Sequence, residues 1–281
     1  MRFEESPRLL SKIHVRDSGG SGSAVVLIHG WPLSSESCKA QFSALRAAGY
    51  RAIAYDRRGF GHSEATGGYD FDALADDLDC LLSCLNLRDA TLVGFSVGAG
   101  EVARYVGKYG QERLRSLVFA SPIPPCLTDA EDDPERALIK ERVEKMIKDL
   151  AADRNAFFDR FSRDLFSVNG ESKVTESTRQ MAIRICLQSN RMAALACLQS
   201  LATEDFRADL LKVTVPALVI HGAGDIVVPF AESGARTHAS IAQSKLVVLD
   251  DAPHGCNVSH QEVFNERLLE FLETTRNSQD Q

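Results

Sequence analysis

The chain has 281 residues, 44 % of them hydrophobic, enough to bury one large core. Its 39 acidic residues against 32 basic ones leave a formal net charge of −7. That balance argues against nucleic acid or an anionic membrane surface as partner, since both need clustered Lys and Arg. No apolar run approaches the roughly 20 residues of a membrane helix, and Met1-Arg2-Phe3-Glu4-Glu5 lacks the apolar stretch of a signal peptide. Seven cysteines (38, 80, 84, 126, 186, 197 and 256), an odd number without Cys-x-x-Cys, fit buried free thiols in a reducing compartment. A cytoplasmic location is therefore expected.

Residues 1–22 read as an edge-strand region closing in the turn Gly19-Gly20-Ser21-Gly22. The all-apolar run 24–28 suits a buried central strand and ends in His29-Gly30-Trp31-Pro32. Further strand candidates lie at 50–55, 90–94, 114–119, 216–220 and 245–249, with helical segments between most of them. Strands alternating with helices predict an α/β fold with a mainly parallel, doubly wound sheet. The alternation breaks between Pro122 and about Leu211. Residues 122–211 are expected to be a helical cap insertion within a single domain spanning 1–281. In it, Thr128 and Glu131 form a possible capping box, and Ala137 to Leu150 reads as an amphipathic helix. Phe157, Phe158, Phe161, Leu165 and Phe166 make an apolar stripe at helical spacing, readable as core or as the lining of a pocket. Asn257-Val258-Ser259 matches a glycosylation sequon, which means little in a cytoplasmic chain. The tail 277–281 is expected to be disordered.

The most informative stretch is Gly94-Phe95-Ser96-Val97-Gly98, which follows the apolar run Thr91-Leu92-Val93 and precedes a helix-like segment. A bare G-x-S-x-G arises by chance in about one chain of this length in ten. In a strand–turn–helix context it marks a nucleophile elbow, where the glycines remove Cβ atoms that would clash. Ser96 then stands at a helix N-terminus, which favours a developing negative charge. The loop after strand 24–28 can aim the Trp31 N–H at a substrate carbonyl near Ser96, and the Val97 N–H completes a two-donor oxyanion hole.

A serine hydroxyl needs a base within hydrogen-bond reach. Apolar runs at 215–220 and 246–249, both read as buried strands, end in His221-Gly222-Ala223-Gly224-Asp225 and Asp250-Asp251-Ala252-Pro253-His254-Gly255. Polar residues just past strand carboxyl ends are where ligands meet such sheets. His254 is the candidate base and Asp225 the carboxylate that orients it, in the chain order Ser…Asp…His. Asp250 and Asp251 read as solvated turn residues. His14 and His238 lie in polar segments, His62 reads as loop structure, and His260 starts the last helix. His29 and His221, beside glycines, are placed to support the site. Cys256 reads as a small hydrophobe near it.

The chain resembles the α/β-hydrolase superfamily, and within it the cofactor-free haloperoxidase, perhydrolase and arylesterase group. The resemblance is carried by 29–34 (HGWPLS), 54–63 (AYDRRGFGHS), 94–105 (GFSVGAGEVARY), 120–125 (ASPIPP), 203–206 (TEDF) and 252–255 (APHG). It implies an α/β-hydrolase fold, a triad at Ser96, Asp225 and His254, and oxyanion donors at Trp31 and Val97. It further implies hydrolysis of small carboxylic esters through an acyl-enzyme, without metal or organic cofactor. The family usually carries methionine after the nucleophile and glycine two positions further, where this chain has Val97 and Ala99. An aromatic typical of the oxyanion-loop helix is replaced near Cys38. Proline at position 32 is associated in the family with perhydrolysis, in which hydrogen peroxide replaces water; stiffening of the loop is the alternative reading. Lactone or amide hydrolysis would use the same residues, and a small-ligand receptor with negligible turnover could keep them too. The sequence leaves a homo-oligomer open.

Overall fold

The structure, a computed structural model, describes residues 11–126 and 134–277. Its strands are β1 (Val15–Asp17), β2 (Ala24–Ile28), β3 (Arg51–Tyr55), β4 (Ala90–Phe95), β5 (Leu114–Ala120), β6 (Ser167–Val168), β7 (Glu171–Ser172), β8 (Ala217–Gly222) and β9 (Ser244–Leu249). Seven of them form one sheet in the order β1-β3-β2-β4-β5-β8-β9. Only β1 runs antiparallel, pairing Val15 with Tyr55; the other pairings are parallel. Every residue of β2, β4 and β8 is buried, as a parallel sheet covered on both faces requires.

The helices are α1 (Lys39–Ala47), α2 (Phe71–Cys84), α3 (Val97–Tyr109), α4 (Pro134–Ala152), α5 (Arg154–Phe166), α6 (Glu176–Gln188), α7 (Arg191–Leu201), α8 (Arg207–Leu210), α9 (Gly234–Ser240), α10 (Cys256–Ser259) and α11 (Gln261–Asn277). α2 packs beside α3, and α1 beside α11. Helix starts follow local chemistry. Asp70, Asp153, Thr175 and Asn190 each accept from a backbone N–H in the first turn, opening α2, α5, α6 and α7.

The regular elements among the described residues between β5 and β8 are helices, apart from the β6–β7 hairpin. The possible capping box at Thr128 and Glu131 lies outside the described residues. Phe157, Phe158, Phe161, Leu165 and Phe166 are all buried. Three of these rings surround Trp31, at centroid distances of 6.0 Å (Phe157), 6.4 Å (Phe158) and 5.6 Å (Phe161). At the other end of the segment, Arg104 on α3 donates to Glu204 and Asp209, each at 2.8 Å.

One strand differs from its sequence-based reading. The apolar run at 246–249 suggests a buried strand, but β9 is the edge of the sheet and only Leu249 in it is buried. An apolar run reports burial only if neighbours surround the strand, and an edge strand has a neighbouring strand on one side alone. The thiols differ at one position too: Cys84 is exposed, while the other six cysteines are buried.

Candidate active site

Ser96 occupies the turn between β4 and α3 with φ 56° and ψ −117°. A non-glycine residue rarely holds this conformation; it persists where the surrounding structure over-determines it. Ser96 N–H donates to Ala120 O at 2.8 Å, and Ala99 N–H to Ser96 O at 2.9 Å, pinning the turn from both sides. The flanking glycines are sterically required. A Cβ on Gly94 would lie 2.4 Å from Gly98 O, and one on Gly98 would lie 2.4 Å from Ile28 O. Val97 is the first residue of α3, so its N–H points out of the helix end with no partner inside the helix.

The loops after β8 and β9 bring Asp225 and His254 to this turn. His254 Nε2 is 3.0 Å from Ser96 Oγ, and His254 Nδ1 is 2.6 Å from Asp225 Oδ2. Val227 and Val228 N–H donate to Asp225 Oδ1 at 2.9 and 2.8 Å. All three side chains are buried. Burial pushes the Asp225 carboxyl upward, but the charge on His254 and hydrogen bonds from His221 and His254 outweigh it and hold the group down at about 2. His254 thus faces a carboxylate on one nitrogen and a hydroxyl on the other. Asp251 instead pairs with Lys173 at 2.7 Å, and both Asp250 and Asp251 are exposed.

Trp31, Ser96, Val97 and His254 line one cavity of about 60 Å³, closed by apolar side chains including Ile123, Val143, Met146, Phe161 and Leu201. The indole N–H of Trp31 donates to Ala194 O on α7 at 2.9 Å, and the Trp31–Pro32 peptide is cis. A larger cavity of about 360 Å³ opens beyond Phe95, between α1, α6 and the start of α10. It touches neither Ser96 nor His254, and the smaller cavity is therefore the one that bears on their chemistry.

Beneath the Trp31 loop lies a buried polar network of which only His29 was singled out from sequence. Arg57 Nη2 donates to His29 O and its backbone N–H to His29 Nε2, each at 2.9 Å. Arg57 Nε donates to Glu101 Oε2 on α3 at 2.9 Å, and Tyr55 Oη donates to Glu101 Oε1. Burial and the Arg57 charge hold His29 well below the ordinary histidine value. Arg57 and Glu101 are 44 residues apart, so no local spacing announces the pair. Cys256 is buried with Sγ 3.5 Å from Ser121 Oγ; burial pushes its thiol up to about 12, so it stays neutral. Asn257, of the sequon, is buried and donates to Ser37 O at 3.1 Å.

A mainly parallel sheet with a strained strand–serine–helix turn, and acidic and imidazole side chains on the loops after its last two strands, defines the α/β-hydrolase class. The family described as alpha/beta hydrolase fold matches residues 23–260, and the chain belongs to it. It is 39 % identical over 257 residues to a non-heme chloroperoxidase of Kitasatospora aureofaciens, covering 90 % of this chain and 93 % of that one. It is 33 % identical to a bifunctional esterase/perhydrolase of Acinetobacter calcoaceticus, covering 92 % and 95 %. Among solved structures, a bromoperoxidase from Bacillus anthracis superposes with a TM-score of 0.89 at 44 % identity, over 93 % of this chain and 95 % of that one. The chain is thus a hydrolase-family enzyme. No helix among the described residues is long and apolar enough to cross a membrane.

Proposed function

We propose that the protein is a serine hydrolase of small carboxylic esters that works through an acyl-enzyme and forms peracid as a side activity. The observation that carries this reading is the chain of contacts from Ser96 Oγ to His254 Nε2 (3.0 Å) and from His254 Nδ1 to Asp225 Oδ2 (2.6 Å). Ser96 Oγ attacks the ester carbonyl while His254 Nε2 takes its proton. The Trp31 and Val97 N–H groups, both at the cavity that holds Ser96, bind the oxyanion. His254 returns the proton to the leaving alcohol, and the acyl group stays on Ser96. Water, deprotonated by His254, then attacks the acyl carbonyl; the acid leaves and Ser96 regains its proton. Hydrogen peroxide attacking instead of water gives the peracid. Similarity to an esterase/perhydrolase and to a chloroperoxidase supports both branches. Residues 122–211 act as a cap, since Val143, Met146, Phe161, Leu198 and Leu201 from this segment close the cavity. The substrate is a small molecule and the reaction uses no metal or organic cofactor.

The test is Ser96→Ala assayed with a short aryl acetate, alongside labelling of the wild type by a fluorophosphonate. Loss of turnover in a folded variant, with label on Ser96, is expected. Turnover near wild type in that variant overturns the reading.

A further inference from the structure

His221 lies at the end of β8, four residues before Asp225, and is fully buried. Its Nε2 sits 3.0 Å from Val228 O and 3.0 Å from Asp225 Oδ2. Both neighbours are hydrogen-bond acceptors, so Nε2 must carry the hydrogen. Its Nδ1 is buried with no hydrogen-bond partner. A hydrogen there would face no acceptor, and the ring is therefore the Nε2–H tautomer. The ring cannot swing away. Phe230 packs edge-on against it at 5.6 Å, and a Cβ on Gly234 would come within 2.6 Å of Nδ1.

An unpartnered buried nitrogen is costly to the fold. A phenylalanine or leucine of similar size would avoid that cost, so what the histidine offers the fold is its Nε2–H. That hydrogen faces both the Asp225 carboxylate and the Val228 carbonyl. Val228 N–H in turn holds Asp225 Oδ1 at 2.8 Å. His221 thereby closes the 225–228 turn on itself and presents Oδ2 to His254.

We propose that His221 is a positioning residue for the site: its Nε2–H locks the Asp225–Val228 turn so that the carboxylate stays directed at His254 Nδ1. The inference rests on the reading of Asp225 as the residue that orients His254. Without the lock, the carboxylate rotates within its turn and the imidazole loses its fixed tautomer during proton transfer. His221 itself does not line the cavity, so the defect falls more on kcat than on KM.

The experiment compares His221→Leu with His221→Gln on an aryl acetate, together with nitrogen NMR of the wild-type histidines. Glutamine supplies an N–H of similar reach without a second ring nitrogen. In His221→Leu, kcat is expected to fall about 10–100-fold with KM within about twofold, as losing a supporting partner does at metal-bound histidines. In His221→Gln most of kcat returns. The wild-type spectrum should show His221 protonated at Nε2 and bare at Nδ1. A folded leucine variant with wild-type kcat overturns the proposal, and so does equal loss in both variants. Should His221→Leu fail to fold, a protonated Nδ1 in the wild type still overturns it. Ser96→Ala run beside them separates the two readings: if that variant keeps turnover, the assignment of the site fails and the role of His221 with it, whereas a wild-type kcat in His221→Leu beside an inactive Ser96→Ala overturns the role of His221 alone.

Discussion

Arg57 Nε donates to Glu101 Oε2 at 2.9 Å, with each side chain 1 % exposed. Through this contact the loop bearing Trp31 is coupled to the helix bearing Val97, because Arg57 Nη2 also holds His29 O at 2.9 Å. Two backbone N–H groups can serve one oxygen only if their separation is fixed, and the guanidinium spans the two elements that carry them. Burial raises the Glu101 carboxyl while Arg57 and Tyr55 lower it, with burial the stronger. Removing one partner leaves the other charge stranded. Glu101→Leu should cost about 3–5 kcal/mol of stability, read by urea unfolding. Arg57→Met combined with Glu101→Leu should recover much of that loss. A single variant as stable as wild type would show that the pair is not a strut.

The carboxylate of Asp225 gives a second expectation. Asp225→Asn should keep the fold and lower kcat by up to about 10⁴-fold, because the amide favours the wrong histidine tautomer. Asp250→Asn and Asp251→Asn, on exposed turn residues, should stay near wild type. The acid side has its own sign. The native carboxyl lies at about 2 against an ordinary 3.8, so its contribution is full above pH 4 and disappears as pH falls through 2. That contribution is of order 2 kcal/mol. Thermal unfolding of Asp225→Asn should therefore lose less stability between pH 4 and pH 2 than wild type does. Identical slopes in the two proteins would contradict it.

Ser96, Asp225 and His254 were legible in the sequence because each follows a run of apolar residues and sits beside glycine or proline. Such punctuation marks the carboxyl end of a buried strand, where side chains converge. Trp31 was legible for the same reason. What was not legible depends on sheet order. The Arg57–Glu101 pair exists because β3 and β4 both flank β2, and β9 is only partly buried because no strand lies beyond it. Neither fact is encoded in the residues of the strand itself. The stripe of phenylalanines shows the intermediate case. Its spacing identified one buried face of α5, but spacing does not say that Phe161 reaches the Ser96 cavity while Phe158 packs on Trp31.

The size of the cavity sets a third expectation. About 60 Å³ next to Ser96 is room for a handful of non-hydrogen atoms. Acetyl and propionyl esters should be turned over best, and kcat/KM should fall at least about tenfold by the octanoyl ester, a penalty near 1.4 kcal/mol. Met146 is a half-buried wall of that cavity, outside the contacts among Ser96, His254 and Asp225. Met146→Ala should shift the preference towards longer acyl chains with little change on acetate. A flat chain-length profile in wild type would show that the cavity does not hold the acyl group.

The last expectation concerns Pro32. Proline fixes its own φ near −65° and offers no N–H. A leucine in its place would restore an N–H and loosen the chain directly after Trp31. Leu33 N–H donates to Gly30 O at 3.0 Å, so the change falls inside a closed turn beside the Ser96 cavity. In the proposed mechanism water and hydrogen peroxide compete for the same acyl carbonyl, and a small change in the polar groups around it alters their ratio. Relatives that include a chloroperoxidase and an esterase/perhydrolase make peroxide the competing nucleophile to examine. Pro32→Leu is expected to lower peracid formation relative to ester hydrolysis by about threefold or more, a difference near 0.7 kcal/mol. The measurement is direct peracid detection with an acetate ester and hydrogen peroxide, beside hydrolysis without peroxide. Equal or higher peracid output from Pro32→Leu at an unchanged esterase rate would mean that Pro32 only stiffens its loop.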